Sequence, residues 1–395
     1  MRYLLFWKKV RFVSKLKKHM LVNSEETDVR HLPAPATRVG VGFAKFRLLD
    51  AHRKNVIDKK SVSHLEVLVW YPAEKTVDFP CKPYLAGHRL KRLFLLNLRF
   101  GYRYVKNSLR RTKTNSHEGA PVSQSRERYP VLIFSHDIGM LPEYYTALME
   151  HLASEGYFVF APNHPFVSEA NADEANEKRI IRFNPVTGLR WAVTMFKSRR
   201  KLQGKSYEQK WAVSKALYPQ WETFDPLYSG MKRDRSFLLD FLQALNSTLY
   251  YHEYPYNLFT RRLNLTQVGV IGHGWGGSSS VDALIQDDRI KAAINLDGLQ
   301  ISRAANHVIS KPLFVIYAEQ NSGINEGIYF NASEREEHTI ENSKHASFCD
   351  FPFLAKSKTR DTHVLHQTVN LAVHFFDRHL KKIDHTAFVH ARHRY

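Results

Sequence analysis

Cysteine is nearly absent. The 395 residues hold two, Cys81 and Cys349, too few for the disulfide framework of a small secreted domain, and no CxxC or CxxH spacing suggests structural zinc. Long apolar runs are missing as well, since none approaches the roughly 18 residues of a membrane span. Acid is lacking from two stretches, the one before Glu25 and the one from Pro83 to Ser116. Internal repeats and low-complexity tracts are absent too. Hydrophobic residues, by contrast, make up 43% of the chain and aromatics 13%, which excludes a disordered tail or a fibrous protein and allows a full core. Basic residues are in excess, 58 Lys+Arg against 38 Asp+Glu, for a net charge of +20. Such a chain is drawn to anionic surfaces, whether phospholipid, nucleic acid or acidic protein.

The excess is concentrated in the two acid-free stretches. In MRYLLFWKKVRFVSKLKKHM, residues 1–20, helical spacing aligns Lys8, Arg11, Lys15 and Lys18 in a basic stripe. Leu5, Phe6, Val10, Phe12, Val13, Leu16 and Met20 fall on the opposite arc. Three readings are open: a helix lying on an anionic membrane, a mitochondrial presequence, or a solvated basic tail. Lysines interrupt any apolar core before it reaches the length of a secretory signal. The expected location is therefore peripheral membrane or cytoplasm, with the mitochondrion as the other option. Residues 83–116 interleave nine cations, from Arg89 to Lys113, with Leu, Phe and Tyr. That mixture suits an anionic membrane surface, or a core helix with a solvated basic face. No zinc-finger, RNA-recognition or P-loop pattern accompanies it, so nucleic acid is disfavoured as a partner.

From residue 64 onward, short β-branched or aromatic runs alternate with helical patterns, the signature of an α/β sheet. Strands are expected over residues 64–71, 130–135, 157–161, 267–271, 290–296 and 312–318. Runs such as VLIFS and AAINL are apolar throughout, as in parallel strands covered on both faces. Helices are expected near residues 142–155, 232–245, 276–286 and 368–380. Residues 164–231 read as a long, polar, irregular excursion, of the kind that carries lids in α/β enzymes. The expected organisation is a basic N-terminal extension over 1–39, one α/β domain over 40–383 with 164–231 as its lid or insertion, and a tail over 384–395.

The most informative segment is QVGVIGHGWGGSSSVDAL, residues 267–284. A strand ends, Gly272-His273-Gly274-Trp275-Gly276 turns tightly, and a helix begins. That is the layout of the nucleophile elbow G-x-S-x-G, with glycine at 274 where the nucleophile belongs. Gly272, Gly274 and Gly277 also satisfy the dinucleotide pattern G-x-G-x-x-G, but that pattern normally opens a domain, and here several strands precede it. Downstream, Asp297 closes the next strand and His345 follows a further one. This is the α/β-hydrolase order of nucleophile, acid and histidine.

With these residues in view, the chain resembles the plasma-type (type II) platelet-activating factor acetylhydrolases and their bacterial α/β-hydrolase relatives. The likeness runs from about residue 40 to 380, through LVWYPAE, RYPVLIFSHDIG, LASEGYFVFAPNH, VIGHGWGG, INLDG and KHASFCDF. It implies an α/β-hydrolase fold, a mostly parallel central sheet flanked by helices, with Asp297 and His345 as triad acid and base. It implies an oxyanion hole from the backbone N–H groups of Ile138 and Trp275, and hydrolysis of short sn-2 acyl esters of phospholipids without metal or other cofactor. Two positions depart from the family pattern: FSHG is FSHD, which brings the Asp137 carboxylate near the oxyanion hole, and the serine is Gly274.

Glycine has no atom to acylate, so the covalent route is closed as the sequence stands. Ser278, the nearest candidate for rescue, lies about 6 Å further along the following helix, too far to take the attack position. His136 and His273 flank the site and read as structural hydrogen-bonders. The expectation is a family member impaired or inactive in ester cleavage, with a phospholipid or short-chain ester as its ligand. The alternatives are an active esterase using another nucleophile, or a non-enzymatic lipid- or protein-binding scaffold.

Overall fold

A computed structural model describes residues 30–37, 39–54, 62–85, 109–165, 167–168, 171–172, 180–181, 185–221, 225–247, 255–300, 307–329, 331–354 and 362–383. The basic stretch 1–20, most of 83–116 and the tail 384–395 lie outside the described residues. In chain order the strands are β1 (Gly40–Lys54), β2 (Val62–Ala73), β3 (Cys81–Pro83), β4 (Lys113–Glu118), β5 (Tyr129–Ser135), β6 (Phe158–Asn163), β7 (Asn171–Ala172), β8 (Ile180–Ile181), β9 (Leu263–His273), β10 (Ile290–Leu296), β11 (Leu313–Ala318) and β12 (Arg335–Ile340). Ten of them form one sheet in the order β12-β11-β10-β9-β5-β6-β2-β1-β4-β3, while β7 and β8 pair separately. From β12 to β6 every pairing is parallel, whereas β2 joins β6 and β1 antiparallel.

Six helices matter here: α1 (Thr146–Ser154), α2 (Pro185–Leu202), α3 (Tyr207–Trp221), α4 (Asp225–Ser247), α5 (Trp275–Gln286) and α6 (His363–Phe376). The strands explain why helices cover both faces. Along β5, Leu132 and Phe134 join one core cluster with Leu148 and Leu152 of α1 and Val369 and Val373 of α6. Val131 and Ile133 join the other, with Leu238 and Leu242 of α4 and Val281 and Leu284 of α5. Side chains alternate between faces along a strand, so a run apolar at every position serves two cores at once. The mostly parallel α/β architecture expected from sequence is the one formed.

Three details correct the expectation. The 164–231 excursion is not irregular, since it contains α2, α3 and the start of α4. Their polarity hid them, although Pro185 opens α2 and Arg199, Arg200 and Lys201 lie in its last turn, as helix termini favour. Strand β1 was missed because Lys45 and Arg47 break its apolar run, yet Phe43 packs on Trp70 of β2 with ring centroids 5.2 Å apart. Strand β12, REEHTI, was missed for its charge, and charge on an outermost strand discourages pairing with other chains. No helix among the described residues is long and apolar enough to cross a membrane.

Candidate active site

The elbow is built as its glycines require. Strand β9 ends at His273, Gly274 adopts φ 55° and ψ −119°, and α5 starts at Trp275. That conformation is strained for any residue with a Cβ. Gly276 lets the first turn of α5 press on the end of β5, because a Cβ there would fall on the Ser135 carbonyl oxygen. The Gly274 N–H donates to the Leu296 carbonyl at 2.9 Å, pinning the turn to β10.

Asp297 follows β10 and His345 follows β12, and the parallel strands bring both to the same end of the sheet as the elbow. The two side chains meet, with His345 Nδ1 2.7 Å from Asp297 Oδ2. Asp297 is fixed from the other side: Oδ1 accepts the Ala318 N–H at 2.8 Å, and Oδ2 accepts from Asn321 Nδ2 at 2.7 Å. This is the geometry of a carboxylate orienting a histidine.

On the far side of His345 lies Asp137. Its Oδ2 is 3.0 Å from His345 Nε2, and its Oδ1 accepts the Trp275 N–H at 2.8 Å. A Cβ at Gly274 would fall on that same Oδ1. One carboxylate therefore takes the space of a side chain at 274, the hydrogen bond to the histidine, and the Trp275 donor expected of the oxyanion hole. Ile138, the other expected donor, is the next residue and is buried.

The charges follow from these contacts. Burial works against protonating His345, but the hydrogen bonds and charges of Asp137 and Asp297 outweigh it and push its pKa up to about 10. Burial likewise raises the Asp137 carboxyl, yet the hydrogen bond and charge of His345 bring it below the usual carboxylate value. The group is thus an imidazolium between two carboxylates. The His273 ring lies against that of His345, tilted by 32° with ring centroids 4.2 Å apart. Burial, with the neighbouring His345 charge, lowers its pKa to about 3 and keeps it neutral.

His273 and His136 do make structural bonds. His273 Nδ1 is 2.8 Å from Tyr145 Oη, which also accepts the Asp137 N–H at 3.3 Å. His136 Nδ1 is 2.8 Å from the Asp137 carbonyl, and its Nε2 accepts the His164 N–H at 3.2 Å. Ser278 is engaged elsewhere, accepting from Tyr228 Oη at 3.2 Å and donating to the Trp275 carbonyl at 3.4 Å. Sequence reasoning missed Tyr145 and Asn321, which fit no motif, and it missed the contact between Asp137 and the histidine 208 positions away.

The family model described as "Platelet-activating factor acetylhydrolase, isoform II" matches residues 50–209 and 242–369. Platelet-activating factor acetylhydrolase of Cavia porcellus is 27% identical over 242 residues, covering 58% of this chain and 50% of that protein. The enzyme of Canis lupus familiaris is 27% identical over 247 residues, covering 58% and 49%. The chain thus spans about half the length of the curated relatives it matches. The solved structure of a ferulic acid esterase from Streptomyces cinnamoneus superposes with a TM-score of 0.66 at 20% identity, over 90% of this chain and 95% of that one. That likeness identifies the α/β-hydrolase fold. With the family model matching most of its length, the chain belongs to the platelet-activating factor acetylhydrolase, isoform II, family.

Proposed function

We propose that this chain is a family member without serine-dependent acyl transfer, keeping the hydrolase fold and its acid–histidine pair around a position closed by its own carboxylate. One observation carries the reading: Asp137 accepts the Trp275 N–H and lies on the His345 nitrogen, where a serine oxygen would have to act. Gly274 supplies no oxygen, and a buried carboxylate repels the anion that ester attack generates. The ligand class, by family, is a phospholipid ester or another short-chain ester, met at an anionic membrane surface. On α2, exposed Val193 and Phe196 beside Lys197, Arg200 and Lys201 are in keeping with such a surface.

The test is a fluorophosphonate serine probe together with a short-chain ester assay on the full chain. Expected are no stoichiometric labelling and, at most, the residual catalysis of about 10³–10⁴-fold over water that survives loss of a triad member. Stoichiometric labelling or robust turnover would overturn the reading. An esterase working through Ser278 gains no support, since that hydroxyl bonds to Tyr228 and Trp275 instead of the histidine.

A further inference from the structure

The groups that close the serine position have a second chemistry. One ligand atom from each of Asp137, His273 and His345 lies within 4.8 Å of the other two. Each histidine already has its Nδ1 engaged, His345 with the Asp297 carboxylate and His273 with the Tyr145 hydroxyl. That leaves Nε2 on both rings. On His345 it faces Asp137 Oδ2 at 3.0 Å. On His273, a residue only 1% exposed, Nε2 is enclosed and has no hydrogen-bond partner. The His345 backbone carbonyl is close enough to favour a proton on that ring, but it forms no hydrogen bond with Nε2 of acceptable geometry. A buried polar nitrogen without a partner is costly, and it needs an explanation.

We propose that Asp137, His273 and His345 form a binding site for one divalent transition-metal ion of the zinc class, at the place where the family pattern has its serine. The proposal rests on the loss of that serine, because a side chain at 274 and the Asp137 carboxylate need the same space. Zinc binds imidazole nitrogen and carboxylate oxygen at roughly 2.0–2.2 Å, which sets tetrahedral ligands a little over 3 Å apart. The 3.0 Å between His345 and Asp137 is already near that spacing, and the ion would take the place of the proton between them. Two histidines and one carboxylate leave a fourth position for water, the donor set of several hydrolytic zinc sites. The outer contacts also fit. Metal-bound histidines commonly donate their second N–H to a carboxylate or another oxygen, which orients the ring, and Asp297 and Tyr145 are in position to accept here. This departs from the metal-free chemistry implied by the family resemblance. The three residues lie too far apart in sequence, at 137, 273 and 345, to be read as a ligand motif.

The test is a titration of the full chain, without a histidine tag and stripped with chelator, with Co²⁺, whose visible spectrum reports a low-coordinate nitrogen–oxygen site. Expected is one Co²⁺ per chain with that spectrum, displaced by Zn²⁺ and absent from His273→Gln and His345→Gln. His307→Gln, at an exposed histidine, should keep it. Asp297→Asn, which removes only the outer carboxylate, should weaken binding by about 10–100-fold. Circular dichroism establishes that each variant is folded, and Tyr145→Phe, expected to weaken binding in the same range, replaces His273→Gln if that chain does not fold. No spectrum at millimolar Co²⁺, or an undiminished one in folded His273→Gln and Tyr145→Phe, would overturn the site. Probe labelling of the same samples reads the serine question separately: labelling sinks the proposed function, whereas absent Co²⁺ binding without labelling sinks the metal site alone.

Discussion

Gly274 and Asp137 behave as one change in two places. A serine returned to 274 brings its Cβ onto the Asp137 carboxylate, at a φ that already disfavours a side chain. Gly274→Ser alone is therefore expected to cost about 1–3 kcal/mol of stability and to gain no probe labelling. Asp137→Gly with Gly274→Ser should recover both stability and labelling, with a coupling of about 0.5–3 kcal/mol between the two sites. Urea unfolding of the four chains in the cycle, with labelling of each, measures this; strictly additive effects would mean that Asp137 does not block the elbow. The glycines of the elbow, Asp297 and His345 were legible in the sequence because strand order and motif spacing constrain them. The reach of Asp137 was legible only as nearness to the oxyanion hole. Its bond to His345 depends on a fold that joins two loops remote in sequence.

At the level of elements, a buried polar network ties α4 and the ends of β5 and β6 to the elbow helix. His164, just after β6, has Nδ1 2.9 Å from Asp234 of α4 and Nε2 3.1 Å from Ser135 Oγ at the end of β5. Arg235, also on α4, donates to Ser135 Oγ at 3.1 Å and to the Ser279 carbonyl of α5 at 2.6 Å. His164 and Asp234 have almost no solvent exposure. Removing one partner of such a pair leaves the other buried with reduced compensation. Asp234→Ala is thus expected to destabilise by about 3–5 kcal/mol, read from the denaturation midpoint; a loss under 1 kcal/mol would mean the pair is dispensable. The helical pattern of α4 was readable from its apolar face, but Asp234 and Arg235 fit no motif, so the buried network they join was not legible. Helices α2 and α3 were not legible because polar surface helices carry a weak periodic signal.

For the whole molecule, two responses to solution conditions follow. His151, at the end of α1, is buried, and burial lowers its pKa despite its Nδ1 contact with the Ala147 carbonyl. In the unfolded chain a histidine titrates near about 6.5. Below that pH the unfolded state takes up a proton that folded His151 resists, so its contribution is complete above about pH 6.5 and is lost as the pH falls. His151→Gln should flatten that part of the stability profile between pH 7.5 and 5, measured by urea midpoints; an unchanged slope would assign the acid sensitivity to other groups. The second response concerns the charge of +20. Adsorption to anionic vesicles should exceed that to neutral ones, weaken as salt rises, and fall on deletion of residues 1–24. Binding indifferent to lipid charge, to salt and to the deletion would refute an electrostatic surface role.

The Asp137 carboxylate has one further consequence. Because it is carried on the same chain, it faces the Trp275 amide at a fixed local concentration, on the scale that short tethers give, millimolar or more. A fatty-acid anion or any other carboxylate released nearby must outcompete this permanent decoy before it can lodge there. Free carboxylic acids in solution should therefore leave the histidine unperturbed, because the amide they would bind is already taken.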